Sequence, residues 1–259
     1  MRLAYDRTGS GSGPPLVLVH GIGSRRGVWD PVAPLLARER DVLAVDLPGF
    51  GDSPVLDEPP TVLALARALT TWWGELGIER PHVAGNSLGG GIALELARLG
   101  AVSSAVALSP IGFWSPAENA YGGAMLRLTR FAAVRLGPQM RWLARFPAGR
   151  AATAGLMFGR PLRRDGAEIA ADLAGLAQAP GWDATLPLAR SYAFERGEEL
   201  DVPVTIGWGT RDRLLIPRQA ARARAALPRA RHVPLPGCGH IPMSDDPEGV
   251  AALLLEASG

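Results

Sequence analysis

His82-Val83-Ala84-Gly85-Asn86-Ser87-Leu88-Gly89-Gly90-Gly91 decides how the rest of this 259-residue chain is read. It holds a Gly-x-Ser-x-Gly pattern, Gly85 to Gly89, with Ser87 at its centre. A short apolar run precedes it, and helical spacing follows at Ile92, Leu94, Leu96 and Leu99. A strand turning sharply into a helix forces the corner residue into a strained backbone conformation with its side chain lifted clear. Strand and helix nearly touch at such a corner, so the positions two before and two after it must be small, as Gly85 and Gly89 are. The geometry exposes Ser87 Oγ and aims the first amides of the helix at whatever it attacks. The competing account is a glycine-rich turn whose serine only caps the helix. The strand–turn–helix context weighs against it.

Outward from this corner the chain alternates strand and helix patterns. Leu16 to His20, Val42 to Leu47, Val102 to Leu108 and Val202 to Trp208 are short unbroken apolar runs bounded by glycine and proline. Such runs suit strands buried on both faces, hence a parallel sheet. Thr61 to Leu76 sets Val62, Leu65, Leu69, Trp72, Trp73 and Leu76 on one side of a helix that stops at Gly77. Asp246-Pro247 opens a last helix, with Asp246 as N-cap and Val250, Leu253 and Leu254 facing inward. The expected fold class is therefore α/β, a mostly parallel central sheet with helices on both faces.

One region breaks the alternation. From Gly112 to Gly197 there are only helix-like segments. An insertion of that length between two strands reads as a lid, giving a core of residues 1–111 and 198–259 and a helical cap of 112–197. Between Glu118 and Asp165 the cap carries nine arginines and no acidic residue, interleaved with apolar side chains. Either it is a cationic amphipathic surface for anionic membranes or acidic substrates, or it is a solvated arginine face over an apolar underside. The second is the expected arrangement, because amphipathic helices are the norm on soluble surfaces.

Composition narrows the function. Forty-seven per cent of residues are hydrophobic and 20% charged, as in an ordinary globular protein. All 27 basic residues are arginine, so no lysine can form a Schiff base or serve a phosphate-binding loop. A net charge of +2 argues against a nucleic-acid partner. Cys238 is the sole cysteine, which excludes an intramolecular disulfide and any multi-cysteine metal site. Neither a cofactor nor a metal is expected. No apolar run is long enough to cross a membrane, and Met1 to Asp6 lacks the apolar core of a signal peptide, so a cytoplasmic location without membrane insertion is expected.

Ser87 needs a base, and the base needs an orienting acid. Of the four histidines, His240 lies in Gly237-Cys238-Gly239-His240, a glycine-rich loop after the last strand pattern, from which it can reach the Ser87 corner. His82 and His232 lie within strands and read as structural or exposed. Asp212, just past the strand ending at Trp208, is the candidate acid. The alternative is a salt bridge from Asp212 to Arg211 or Arg213. The other place for an acid, after Leu108, holds Ser109-Pro110 instead.

His20-Gly21-Ile22-Gly23, Asp46 to Ser53, Gly85 to Gly90, Gly209-Thr210-Arg211-Asp212 and Gly239-His240 together resemble an α/β-hydrolase of the lidded, esterase-like kind. The resemblance implies backbone N–H donors from Ile22 and Leu88 forming an oxyanion hole, and a structural turn at Asp46 to Ser53. It implies a serine hydrolase acting on a carboxylic ester, lactone or thioester of a small apolar molecule through an acyl-enzyme. Serine at the corner disfavours the dehalogenases and epoxide hydrolases of this fold, which use aspartate there. Carbon–carbon bond hydrolases also use serine but generally carry tryptophan after the histidine, where this chain has Ile241. Haloperoxidase or perhydrolase activity shares the same three groups. A non-catalytic ligand receptor on the same fold is the rival of a different class.

Overall fold

Short apolar runs become strands wherever both faces can be covered, and here seven strands pair among the described residues. They are β1 (Tyr5–Thr8), β2 (Leu16–Val19), β3 (Val42–Val45), β4 (His82–Asn86), β5 (Ser104–Leu108), β6 (Val204–Gly209) and β7 (Arg231–Leu235). The computed structural model of the chain describes residues 1–11, 13–195, 197 and 200–259. The sheet order is β1-β3-β2-β4-β5-β6-β7, parallel throughout except for β1, which runs antiparallel to β3.

Side chains alternate between two cores, as the period of two requires. Val17, Val19, Leu43 and Val45 pack on one face with α2 (Val62–Glu75) and α3 (Leu88–Arg98). Leu16, Leu18, Val42 and Ala44 pack on the other with α1 (Ala33–Leu36), α10 (Pro242–Asp245) and α11 (Pro247–Ala257). Burial on both faces is why these strands read as unbroken apolar runs. The Thr61 hydroxyl caps α2, accepting the Ala64 N–H at 3.1 Å, and Asp246 caps α11. Strand β1 was not anticipated. It is four residues long, sits on an edge and leaves three of its residues exposed, so it carries no apolar signal.

The order reverses between β2 and β4, which are neighbours although β3 separates them in sequence. Ligands in such sheets bind in the crevice outside the strand ends at that reversal. Here the ends are Gly21 and Ser87: a Cβ built on Gly21 would lie 3.1 Å from Ser87 Cβ.

Between β5 and β6 the chain forms α4 (Pro116–Arg135), α5 (Gly137–Leu143), α6 (Pro147–Ala154), α7 (Gly166–Gln178) and α8 (Trp182–Ser191), and α9 (Arg218–Ala226) follows β6. The expected boundary at 197/198 adjoins residues 196, 198 and 199, which lie outside the described set. These helices enclose a small cluster of their own, Ala133, Ala144, Ala154, Phe158, Ile169 and Leu173. The expected apolar underside is only partly present. Phe158 is buried and Met125, Leu126, Met140 and Met157 are half-buried, but Phe131, Trp142 and Phe146 stand exposed on the side away from inward Gly122, Ala133, Gly137 and Ala144.

Gly85→Ala is expected to cost about 3 kcal/mol or more through overpacking, since its Cβ would lie 2.0 Å from the Gly89 carbonyl oxygen. That is a drop of roughly 6–12 °C in melting temperature. Gly74→Ala on α2, whose Cβ meets nothing within 4 Å, is expected to stabilise by about 0.5–1 kcal/mol. Thermal melts of the two variants check both.

Candidate active site

The β4–α3 junction holds Ser87 at φ 57° and ψ −112°, a region that costs a side-chain-bearing residue about 1–3 kcal/mol. What keeps it there is contact on every side. The Ser87 N–H donates to the Leu108 carbonyl at 2.9 Å, and its own carbonyl accepts from Gly91 at 3.0 Å and Ile111 at 3.2 Å. A Cβ at Gly89 would fall 2.3 Å from the Val19 carbonyl oxygen, so only glycine lets α3 lie this close to β2. The Ser87 hydroxyl makes no capping hydrogen bond to α3. The helix-cap account of this serine therefore does not describe the site.

The turn after β6 carries Asp212, fully buried. Its Oδ1 accepts the N–H groups of Leu214 and Leu215, each at 2.9 Å, and its Oδ2 lies 2.8 Å from His240 Nδ1. Among the described residues neither Arg211 nor Arg213 pairs with it; Arg213 donates to the Gly155 carbonyl instead. The carboxylate accepts, so His240 Nδ1 carries the proton, and the other nitrogen of the neutral ring keeps its lone pair. Ser87, His240, Ile22 and Asn86 line one mostly apolar cavity of about 110 Å³, which α4, α6 and α7 close from above with Leu126, Ala154 and Leu173. A second, almost wholly apolar cavity of about 30 Å³ also touches Ser87 and Ile22, and is walled by Leu88, Trp114, Leu186 and Leu215.

His82 and His232 stand apart from this cavity. They bond the Ser104 hydroxyl and the Leu227 carbonyl, each at 2.9 Å. His20 is buried below the site, its Nδ1 donating to the Gly21 carbonyl at 2.7 Å and its Nε2 accepting the Leu47 N–H at 2.9 Å. Asp46 accepts the backbone N–H groups of Arg26 at 2.6 Å and Asp52 at 3.0 Å, and its carboxylate also pairs with the Arg26 guanidinium. The Asp46 to Ser53 turn is thus a brace under the β2 loop. Burial pushes the Cys238 thiol up to about 11, leaving it protonated and inert at neutral pH. Among the described residues no group of three or more His, Cys, Asp or Glu side chains could hold a metal.

Two positioning residues had no signal in the sequence reading. Asn86 Nδ2 donates to the Leu108 carbonyl at 3.1 Å and to the His240 carbonyl at 2.9 Å, tying the serine corner to the histidine loop. Asp245, buried, accepts the N–H groups of Gly159 and Arg160 at 2.8 Å and of Gly239 at 2.7 Å. In the same seam the His240 N–H donates to the Met157 carbonyl at 2.8 Å. The loop after α6 and the histidine loop are therefore packed backbone to backbone, and a Cβ on Gly239 would lie 2.4 Å from the Gly159 nitrogen. The alternating glycines around His240 were the one visible trace of this contact.

Comparison with known proteins identifies the fold family. A family model described as the alpha/beta hydrolase family matches residues 16–253. An uncharacterised protein of Mycobacterium tuberculosis is 30% identical over 257 residues, covering 92% of this chain and 73% of that protein. A proposed carbamate hydrolase of Pseudomonas savastanoi pv. phaseolicola is 31% identical over 258 residues, covering 94% of this chain and 93% of its own. The solved structure of a thermophilic esterase from Thermogutta terrifontis matches with a TM-score of 0.77 at 24% identity, over 98% of this chain and 92% of that one.

Burial lowers the pKa of His20, outweighing its bond to Gly21, and burial followed by Arg40 lowers that of His82. Both histidines are freer to take a proton in the unfolded chain, at about pH 6.5. The unfolded state thus binds more protons below that pH, and stability falls as the pH falls. Melting temperature is expected to decline from about pH 6.5 downward, with a shallower decline in His20→Asn whatever its starting stability. Melts between neutral and mildly acidic pH measure the two slopes.

Proposed function

The chain belongs to the alpha/beta hydrolase family, and on that footing we propose that it is a serine hydrolase of small apolar esters. The observation that carries the reading is the buried 2.8 Å bond between Asp212 and His240, on a cavity that also holds Ser87 at a strained corner. Its three groups occur in the order Ser87, Asp212, His240. A receptor has no physical use for all three.

In the proposed reaction His240 takes the Ser87 proton as Oγ attacks the carbonyl carbon. The N–H groups of Ile22 and Leu88 hold the oxyanion, each donor worth about 3–4 kcal/mol of barrier. Asp212 holds the imidazolium that forms. Collapse expels the alcohol, protonated by His240, and the same ring then activates water to release the acid and free Ser87.

The two cavities divide the substrate. The leaving oxygen must lie beside the proton donor, so the alcohol takes the larger cavity, which His240 lines. The acyl tail is left the smaller one, about 30 Å³, room for about two water-sized groups. That favours acetyl- or propionyl-sized acyl groups on an apolar alcohol. The full-length similarity to a proposed carbamate hydrolase supports carbamates as a second class, since a carbamate carbonyl passes through the same tetrahedral geometry.

A panel of p-nitrophenyl esters of rising acyl length, read as kcat/KM, tests the proposal. Activity is expected to peak at two to three acyl carbons and to fall with longer chains. Ser87→Ala should lower turnover by roughly 10⁴-fold or more with an unchanged melt, and a fluorophosphonate probe should label Ser87. A folded protein that neither labels nor loses activity in Ser87→Ala is not this enzyme.

A further inference from the structure

The outer surface of the helical insertion is built against the usual pattern. A helix packed on a protein normally turns its bulky apolar side chains inward. Helix α5 and the three residues that follow it instead turn in Gly137, Met140 and Ala144, and leave Arg141, Trp142, Leu143, Arg145 and Phe146 in solvent. Trp142 is 57% exposed and Phe146 49%, and their rings meet edge to face with centroids 5.1 Å apart. On α4, Leu128, Phe131 and Val134 are all more than half exposed. Among the described residues, nine of the thirteen exposed large hydrophobics fall from Tyr121 to Leu162.

Charge completes the pattern. Arg127, Arg135, Arg141 and Arg145 are exposed among these side chains, and none of them makes an ion pair among the described residues. Asp183 lines one surface depression with Arg127 and Arg135, and Asp165 lines another with Arg141 and Arg145, without an ion pair in either case among the described residues. We infer that this face, on α4 and α5, docks peripherally on an anionic lipid bilayer. Tryptophan and phenylalanine settle at the headgroup boundary, and unpaired arginines fork onto lipid phosphates. No helix among the described residues is long and apolar enough to cross a membrane, so the contact is with the surface. A second copy fits the patch badly: a two-fold interface would set four unpaired arginines against the same four. The opposite side of α4 lines the Ser87 cavity through Leu126 and Thr129. Docking therefore puts the bilayer and the cavity on two sides of one helical layer.

The test is co-sedimentation of the full chain with vesicles of phosphatidylcholine alone or with about 30 mol% phosphatidylglycerol, at about 0.05 M and about 0.5 M salt. Partitioning is expected to be at least tenfold stronger onto the anionic vesicles at low salt, and to weaken in high salt. Trp142→Ser with Phe146→Ser, and separately Arg141→Glu with Arg145→Glu, should each lower it at least tenfold without moving the melting temperature. No binding to anionic vesicles at low salt, or binding unchanged in both double variants, overturns the inference. So does a dimer by light scattering that Trp142→Ser with Phe146→Ser converts to monomer, because the patch then belongs to a second copy. None of these readouts requires the chain to be a hydrolase.

Discussion

Strand β4 and helix α3 cross so closely that a single methyl at Gly85 would overlap the Gly89 backbone. Everything at the site follows from that contact. It compresses the turn between them until Ser87 has no room for an ordinary backbone conformation, while the Leu108 carbonyl accepts the Ser87 N–H and the Val19 carbonyl backs Gly89 from the neighbouring strands. A strained residue persists only where its surroundings over-determine it. Here β2, β4 and β5 all contribute, and buried Asn86 extends the same constraint to the histidine loop.

The remaining groups reach the corner from far along the chain, and each is held by backbone rather than by surface side chains. Asp212 is fixed by the Leu214 and Leu215 amides of its own turn, and the Trp208 indole bonds the Leu215 carbonyl at 2.9 Å behind it. Asp245 joins the histidine loop to the loop after α6 through three amides. Breaking such a carboxylate's partnership costs about 1–3 kcal/mol for each buried group left unpaired. The insertion is consequently anchored at the point where His240 leaves the sheet, and its helices rest on a small cluster of three alanines with Phe158, Ile169 and Leu173.

What the sequence disclosed, and what it hid, divides along the same physical line. Buried parallel strands, the serine corner, the Asp246 cap and the Asp212 and His240 loops were legible because each imposes a local spacing or a local glycine. Strand β1 was not, since an exposed edge strand of four residues makes no apolar pattern. Asp245 was not, because its partners are amides more than eighty residues away in the cases of Gly159 and Arg160, and no spacing marks them. The insertion was half legible. Its arginine-rich composition is plain, but an apolar residue on a helix does not declare whether it faces the core, and Phe131, Trp142 and Phe146 face away from it while Leu126, Met140 and small residues face in.

The central claim is that Ser87, Asp212 and His240 act as one chemical unit, and non-additivity tests it most directly. Groups that serve a single step lose their contribution together, so removing a second adds little to removing the first. The measurement is kcat/KM on a short p-nitrophenyl ester for Ser87→Ala, His240→Ala and the double variant. A shared unit predicts three losses that agree within about threefold. Losses that multiply in the double variant would contradict it, because the serine and the histidine would then be working on separate steps.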